Sequence, residues 1–281
     1  MLEAGFQFHQ ASNVMLHRKT PEGRICITQP THAWVAGQLA QAWGNDRFGT
    51  FTPWQEVCLG AELHDIGWLK WEPNPTLNAQ TGYPHSFTEL PTAVSLEIWT
   101  GAKQLAMPFG RYATLLVSLH GTGLFQRFTG WQKSAATTQQ VQAYLRQEAD
   151  FQAQLIEQLQ ADSEYQQHAT PEAIDRNRQL VATWDTLSLM ICMGVQQAQP
   201  IQDVPTIADK TSLALAAIDS DSTRLTVDPW PFQTKSVMLV FEGRMLSEPF
   251  THETAMRSAL QNAPWVTTTV TLTPSSTATQ P

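Results

Sequence analysis

The chain has 281 residues, a formal net charge of −8 and 42% hydrophobic residues. This length can bury one large core, and the acidic balance argues against a nucleic-acid polymer or an anionic membrane as partner. The three cysteines lie far apart, which indicates buried thiols in a reducing compartment. No apolar run has the roughly 18 residues of a membrane span, and the first residues do not form a signal-peptide pattern, so we expect a cytoplasmic protein.

The first predicted element is a hairpin. Residues 13–18 and 24–29 are strand-like runs separated by TPEG, a composition typical of turns, and they place a β-hairpin within residues 1–30. Helical periodicity then recurs from residue 31 to residue 199. It is interrupted at residues 68–91 by a proline-rich loop whose aromatic residues favour an ordered conformation.

The character of the chain changes after residue 200. The segments TRLTV, SVMLVFEG and WVTTTVTL predict strands, and HETAMRSALQN predicts a short helix between the second and third of them. We therefore predict a mainly α fold with a helical domain at residues 31–199. A small β-rich appendage would be formed by the N-terminal hairpin and residues 200–270, and residues 271–281 would be a flexible tail.

The pair His64-Asp65, within ELHDIGW at residues 62–68, is a candidate metal-binding pair. It follows an apolar helical face, and an imidazole and a carboxylate can converge on one cation at a helix end. Such a pair also occurs by chance, and a lone helical histidine is more often a satisfied core residue. Asp185 adds to the case because it lies on an apolar helical face, where an aspartate is costly unless it is paired or coordinated.

Two more histidines, His32 and His120, also fall on apolar helix faces. Four predicted helices thus each present a ligand-type residue at a buried position, which favours a shared metal site. A structural alternative remains open, since Asp185 could cap a helix or pair with Arg176 or Arg178, and His120 could bind a carbonyl group.

The order His32, His64-Asp65, Asp185 resembles the H, HD, D pattern of the HD superfamily of helical metal-dependent phosphohydrolases. The chain more closely resembles a family of uncharacterised bacterial proteins related to that superfamily, over about residues 10–265. The blocks that carry this resemblance are PTHAWVAGQLAQAWGN, ELHDIGWLKWEPNPTLNAQTGYPHSFTELP, LVSLHGTGLF and WDTLSLMICMG. The resemblance implies an HD-domain-like helical bundle with a metal site.

The resemblance also implies a ligand set. His32, His64, Asp65 and Asp185 would hold a first divalent metal ion, which would be Mn, Fe, Mg or Zn. His120 would extend the site to a second ion, with Asp65 as the bridging ligand.

Residues around this ligand set are further candidates. His85, in the proline-rich loop, is a weaker ligand candidate for the second ion. Many members of the superfamily carry a lysine three residues after the HD aspartate, but Trp68 occupies that place here. Lys70 and Arg127 are candidate phosphate contacts in place of that lysine.

The leading functional hypothesis is hydrolysis of a small phosphoester or nucleotide by metal-activated water, with Asp65 as a ligand and possible proton acceptor. One alternative is an HD-type di-iron oxygenase built on the same ligands. The other is a non-enzymatic, metal-stabilised scaffold that binds a small molecule or a partner. Trp68 and the other aromatic residues of the loop would suit such binding, although they could equally cover a helix end.

Overall fold

The computed structural model describes residues 15–85, 89–220 and 222–275. The helices are α1 (Gln29–Ala42), α2 (Trp54–Leu63), α3 (Thr92–Ala106), α4 (Arg111–Arg127), α5 (Ala135–Gln160), α6 (Pro171–Met193) and α7 (Glu253–Asn262). Short 3-10 turns lie at Ile66–Lys70, Met107–Phe109 and Thr129–Lys133. The strands are β1 (Leu16–Thr20), β2 (Gly23–Ile27), β3 (Leu77–Asn78), β4 (Tyr83–Pro84), β5 (Gln199–Pro205), β6 (Lys210–Ala217), β7 (Arg224–Asp228), β8 (Val237–Leu246) and β9 (Trp265–Pro274).

The two helices that flank the candidate site begin with the same capping device. The hydroxyl oxygen of Thr28 accepts a hydrogen bond from the Thr31 backbone N–H at the start of α1. The hydroxyl oxygen of Thr170 accepts a hydrogen bond from the Ala173 backbone N–H at the start of α6. In each helix a proline occupies the first turn, where its missing N–H costs nothing.

Seven strands form one curled sheet in the order β1-β2-β8-β9-β7-β6-β5. Every neighbouring pair is antiparallel except β7 and β9, which are parallel. Side chains alternate along β8, so that Val237, Leu239 and Phe241 are buried while the residues between them face outward. The helix α1 packs against β8, and α6 packs against β1 and β5.

The helices and the sheet bury one continuous core. Its members come from the N-terminal hairpin, from the helices and from the C-terminal strands. They include Leu16, Ile27, Leu39, Trp43, Leu116, Trp184, Leu215, Leu239, Val270 and Leu272. The sheet therefore covers the apolar faces of α1 and α6, and it forms a full layer of the fold.

The prediction of a mainly α, HD-domain-like bundle with a small β-rich appendage is wrong. The seven-stranded sheet is too large for an appendage, and its strands share their core with the helices. The strand β9 continues to Pro274, into the segment that the sequence assigned to a flexible tail, and residues 276–281 lie outside the described part. The predicted N-terminal hairpin corresponds to β1 and β2. Residues 1–14 lie outside the part of the chain that the structure describes.

A side-chain amide joins α1 to the sheet. The amide nitrogen of Gln38 donates to the Val240 carbonyl at 2.9 Å, and the Val240 N–H donates to the Gln38 amide oxygen at 3.0 Å. This contact is possible because β2 pairs with β8 only at residues 244–246, which leaves the earlier part of that edge to α1.

The proline-rich loop after α2 is ordered over its described residues. It contains the 3-10 turn at residues 66–70 and the small β3-β4 hairpin, and Trp68 is buried against Ile98 of α3. Among the helices of the described residues, none has the length and apolarity needed to cross a membrane.

Candidate metal centre

Five candidate ligands from four parts of the chain meet in the interior. His32 lies on α1, His64 and Asp65 follow the end of α2, His120 lies on α4, and Asp185 lies on α6. Each is at most 6% exposed. The convergence follows from packing, because α2 lies against α1, α4 and α6.

Gly67 allows the turn after Asp65 to sit closely against α3. A Cβ at this position would lie 2.4 Å from the Ile98 carbonyl oxygen and 3.0 Å from the Ala102 Cβ. Only a residue without a side chain fits there, so the glycine of HDIGW fixes the direction in which the chain leaves the centre.

His64 presents a free nitrogen to two carboxylates. Its Nδ1 lies 2.7 Å from the Ala61 carbonyl, which can only accept a hydrogen bond, so Nδ1 carries a proton. Nε2 is then the nitrogen that can carry either a second proton or a cation. This atom lies 3.4 Å from Asp185 Oδ1 and 3.8 Å from Asp65 Oδ2, and it is buried with no hydrogen-bond partner among the described residues.

The 3.4 Å separation between His64 Nε2 and Asp185 Oδ1 suits two ligands of one ion better than a direct hydrogen bond. Two ligands at about 2.1 Å from a metal lie about 3.0–3.4 Å apart for right-angled to tetrahedral geometry. The Nε2 of His64 and the Oδ1 of Asp185 fall at the end of this range. A neutral imidazole nitrogen held by a carbonyl on its other side is also the usual form of a metal-binding histidine.

His32 is held from both sides. Its Nε2 lies 2.7 Å from Asp65 Oδ2, and its Nδ1 lies 3.0 Å from the Ser188 hydroxyl. The Ser188 hydroxyl lies 2.8 Å from the Asp185 carbonyl, to which it can only donate. With that bond made, Ser188 accepts from His32 Nδ1, and Nε2 faces Asp65 either as a second N–H or as a ligand to a shared cation.

His120 closes the cluster on the α4 side. Its ring centroid lies 4.6 Å from that of His64, and its Nε2 lies 4.0 Å from Asp185 Oδ2. Burial, together with the positive charges of protonated His64 and of Arg127, lowers the pKa of His120 to about 4, although Asp185 and Asp65 act in the opposite direction. The ring is therefore neutral at neutral pH, and it has a lone pair available.

The acids and bases of the cluster are strongly coupled. Burial opposes a charge on His64, but the carboxylates of Asp65 and Asp185 and the Ala61 carbonyl outweigh it and raise the His64 pKa to about 9. Burial also opposes a charge on Asp185, but the neighbouring histidines hold its pKa well below the usual range. A proton on His64 thus balances the negative charge of the two carboxylates. A bound cation would displace this proton from His64.

The geometry gives two overlapping ligand groups. One consists of His32, His64 and Asp185, and the other of His64, Asp65 and His120. Within each group the ligand atoms lie within 4.8 Å of one another. Imidazole and carboxylate ligands together suit Zn, Fe(II) and Mn(II).

Three other residues from the sequence prediction lie outside these groups. His85 is half-buried, and its Nδ1 contacts the Thr76 hydroxyl at 2.9 Å. Lys70 is exposed, with its Nζ against α3 beside Gly101. Arg127 is exposed at the end of α4, and its positive charge is the smallest of the contributions to the His120 pKa.

Sequence reasoning missed the polar residues that support the ligands. Ser188 lies three residues after Asp185 on the same helix, and that spacing was the available signal for it. Glu72 accepts a hydrogen bond from the Gln29 backbone N–H, at the start of the helix that carries His32. It lies in a stretch without periodicity, where the sequence offers no comparable signal.

A search of curated proteins and a search of solved structures each returned no match. The comparison with protein families matches residues 15–248 to DUF3891, described as a protein of unknown function. The predicted resemblance to a family without an assigned activity is thus confirmed, whereas none of the comparisons links the chain to the HD superfamily. The match spans most of the sequence and includes all five converging side chains, and the chain belongs to the DUF3891 family.

Proposed function

We propose that the centre binds a divalent cation and that the protein hydrolyses a small phosphoester or nucleotide. The observation that carries the proposal is His64. Its Nδ1 is fixed on the Ala61 carbonyl, and its buried Nε2 lies 3.4–3.8 Å from the carboxylates of Asp185 and Asp65 with no hydrogen-bond partner among the described residues. A polar atom buried in this way is costly unless a ligand satisfies it.

The carboxylates and the histidines would contribute differently to binding the cation. Asp65 and Asp185 supply negative charge, while His32, His64 and His120 supply neutral nitrogen atoms. When bound, a divalent cation acts as a Lewis acid that polarises a phosphoryl oxygen and lowers the pKa of water. Asp65 is the proposed proton acceptor, since its Oδ2 is held at 2.7 Å by His32.

The choice of phosphoesters rests on two features. The order His32, His64-Asp65, Asp185 is that of the HD phosphohydrolases, and a relation to that superfamily is part of the proposal. Arg127 adds a positive charge on the His120 side, where it would meet a phosphate. The net charge of −8 disfavours a long polyanion and leaves small substrates.

The test has two stages. First, elemental analysis of purified protein, and of protein reloaded with Mn²⁺, Zn²⁺ or Fe²⁺, is compared between the wild type and Asp185→Asn. His168→Ala is the matched control, because its ring contacts Gln167 at the surface. Near-stoichiometric metal in the wild type and the control, with its loss in a folded Asp185→Asn protein, is expected.

Second, the loaded wild type is assayed against nucleotides and small phosphomonoesters and phosphodiesters. Turnover that disappears in Asp185→Asn and persists in His168→Ala supports the proposal. A metal-loaded, folded wild type that hydrolyses none of these substrates would refute the phosphoester assignment. Oxygen consumption by the iron-loaded protein would then direct attention to oxidation.

A further inference from the structure

Glu72 is a buried carboxylate outside the two ligand groups. It is 8% exposed and lies just after the 3-10 turn at residues 66–70. Its backbone N–H donates to the Trp68 carbonyl at 3.0 Å, and the Trp68 N–H donates to the Asp65 carbonyl at 3.1 Å. Two consecutive backbone hydrogen bonds thus join Glu72 to Asp65, which fixes the position of one relative to the other.

The carboxylate also reaches the helix that carries His32. Glu72 Oε1 accepts a hydrogen bond of 2.8 Å from the Gln29 backbone N–H, in the first turn of α1. Gln29 and His32 are three residues apart and therefore lie on the same side of that helix. Glu72 is thereby attached to both segments that supply the His32–Asp65 contact.

The second oxygen of Glu72 is unsatisfied. Oε2 is buried and has no hydrogen-bond partner among the described residues, and no ion pair of those residues involves Glu72. Burial, with a smaller contribution from the Asp65 carboxylate, raises the Glu72 pKa to about 8, while the bond from Gln29 acts in the opposite direction. Glu72 is therefore mostly protonated at neutral pH, and its buried ionised form needs a positive charge close to it.

We propose that Glu72 is a positioning residue of the metal centre, whose negative charge and bond to α1 strengthen cation binding by His32 and Asp65. This inference rests on the proposed cation site and extends it by one residue. The Gln29 contact holds α1 so that the His32 ring meets Asp65. A cation at the centre would favour the ionised form of Glu72, whose negative charge then adds to those of Asp65 and Asp185.

The test is the affinity of the full-length protein for Mn²⁺ and Zn²⁺, measured by titration calorimetry after chelator treatment. Glu72→Gln keeps an oxygen for the Gln29 N–H and removes the charge. Glu148→Gln is the matched control. Glu148 is also a buried carboxylate, but it pairs with Lys103 and accepts from Ser118 at 2.6 Å, and it belongs to neither ligand group.

We expect Glu72→Gln to weaken cation binding by about tenfold or more, the loss typical of removing a residue that supports a metal ligand. Glu148→Gln should leave the affinity within about twofold of the wild type, although its unfolding temperature falls because Lys103 loses its partner. Unchanged affinity in Glu72→Gln, or an equal loss in both variants, would overturn the proposal.

Phosphoester turnover is not the readout. Failure of the hydrolysis assay therefore leaves the role of Glu72 intact, provided that the wild type binds a cation. A wild type that binds neither Mn²⁺ nor Zn²⁺ overturns both the cation site and the role of Glu72.

Discussion

The carbonyl of Ala61 determines what His64 can bind. It fixes the proton on Nδ1 and leaves Nε2 as the reactive nitrogen. The same logic applies to His32, where the Ser188 hydroxyl lies on Nδ1 and Asp65 lies on Nε2. Ring orientation in the centre is thus set in part by two groups outside the candidate ligand set, the Ala61 carbonyl and the Ser188 hydroxyl.

Replacement of Ser188 tests this control of orientation. Ser188→Ala removes the hydrogen-bond partner of His32 Nδ1, so we expect cation affinity to fall by about tenfold. Thr186→Ala is the control, because the Thr186 hydroxyl lies on the same helix but donates to the Ala182 carbonyl at 2.9 Å. Calorimetric titration with Zn²⁺ measures both variants, and an equal affinity of Ser188→Ala and wild type would contradict the prediction.

His17 makes stability depend on pH. Burial, with the nearby Arg24 charge, lowers its pKa from 6.5 to about 3. Between these values the unfolded chain binds a proton that folded His17 does not, so stability falls as the pH drops from about 6.5 towards 3, by about 1.4 kcal/mol per pH unit at most. Above pH 6.5 the residue contributes no such dependence.

The contribution of His17 is measurable by difference. Urea unfolding of the wild type and of His17→Gln at pH 7 and pH 5 gives the loss of unfolding free energy for each. The wild type is expected to lose about 2 kcal/mol more than the variant, because the other titrating groups contribute equally to both. Equal losses would show that folded His17 is protonated at pH 5.

The candidate ligands and the residues around them differed in how far the sequence revealed their burial. Asp185 was predictable because an aspartate on an apolar face needs a partner, and the pair His64-Asp65 by its place at a helix end. For Ser188 the sequence offered only its spacing from Asp185, a weak signal because a helical serine is often satisfied by its own preceding turn. Glu72 was not predictable, because only the folded chain brings it to α1.

At the scale of elements, the close contact between α3 and the turn at residues 66–70 depends on Gly67. We expect Gly67→Ala to lower the free energy of unfolding by about 1–3 kcal/mol, because its Cβ would meet the Ile98 carbonyl. Gly123→Ala on α4 is the control, with no atom within 4 Å of its added Cβ, and it should gain about 0.5–1 kcal/mol from helix propensity. Chemical unfolding compares the two, and a neutral Gly67→Ala would show that α3 can shift freely.

Helices were easier to predict than strands. The apolar period and the caps of α1 and α6 are local signals, and they appear in the sequence. The strands β5 and β6 were missed for local reasons as well. Between Ile201 and Val204 the register shifts, and Asp203 adopts a φ of 60°, so alternation in β5 breaks, while β6 is rich in alanine, which has little strand preference.

At the scale of the whole molecule, the helices and the sheet should unfold together. We expect a fragment of residues 31–199 to remain unfolded or to aggregate, because it would expose the apolar faces of α1 and α6 that the sheet covers. The intact chain should give coincident far-ultraviolet dichroism and tryptophan fluorescence transitions. A fragment with a well-dispersed NMR spectrum would instead support a separate helical domain.

The whole fold was the least predictable level. The pairing of β2 with β8 joins residues 24–26 to residues 244–246, and no local period reports such a distant contact. Since the sequence gives strands without their partners, a full layer was mistaken for an appendage. The metal-ligand prediction was less exposed to this error, because it relied on helix faces that remain buried in either architecture.

The paired hydrogen bonds between Gln38 and Val240 have a consequence for self-association. A bare strand edge is a template on which another chain can add a strand and begin to aggregate. Here the Gln38 amide occupies the N–H and the carbonyl of Val240 as a neighbouring strand would. The helix that carries His32 therefore also shields the middle of β8 from recruitment into an intermolecular sheet.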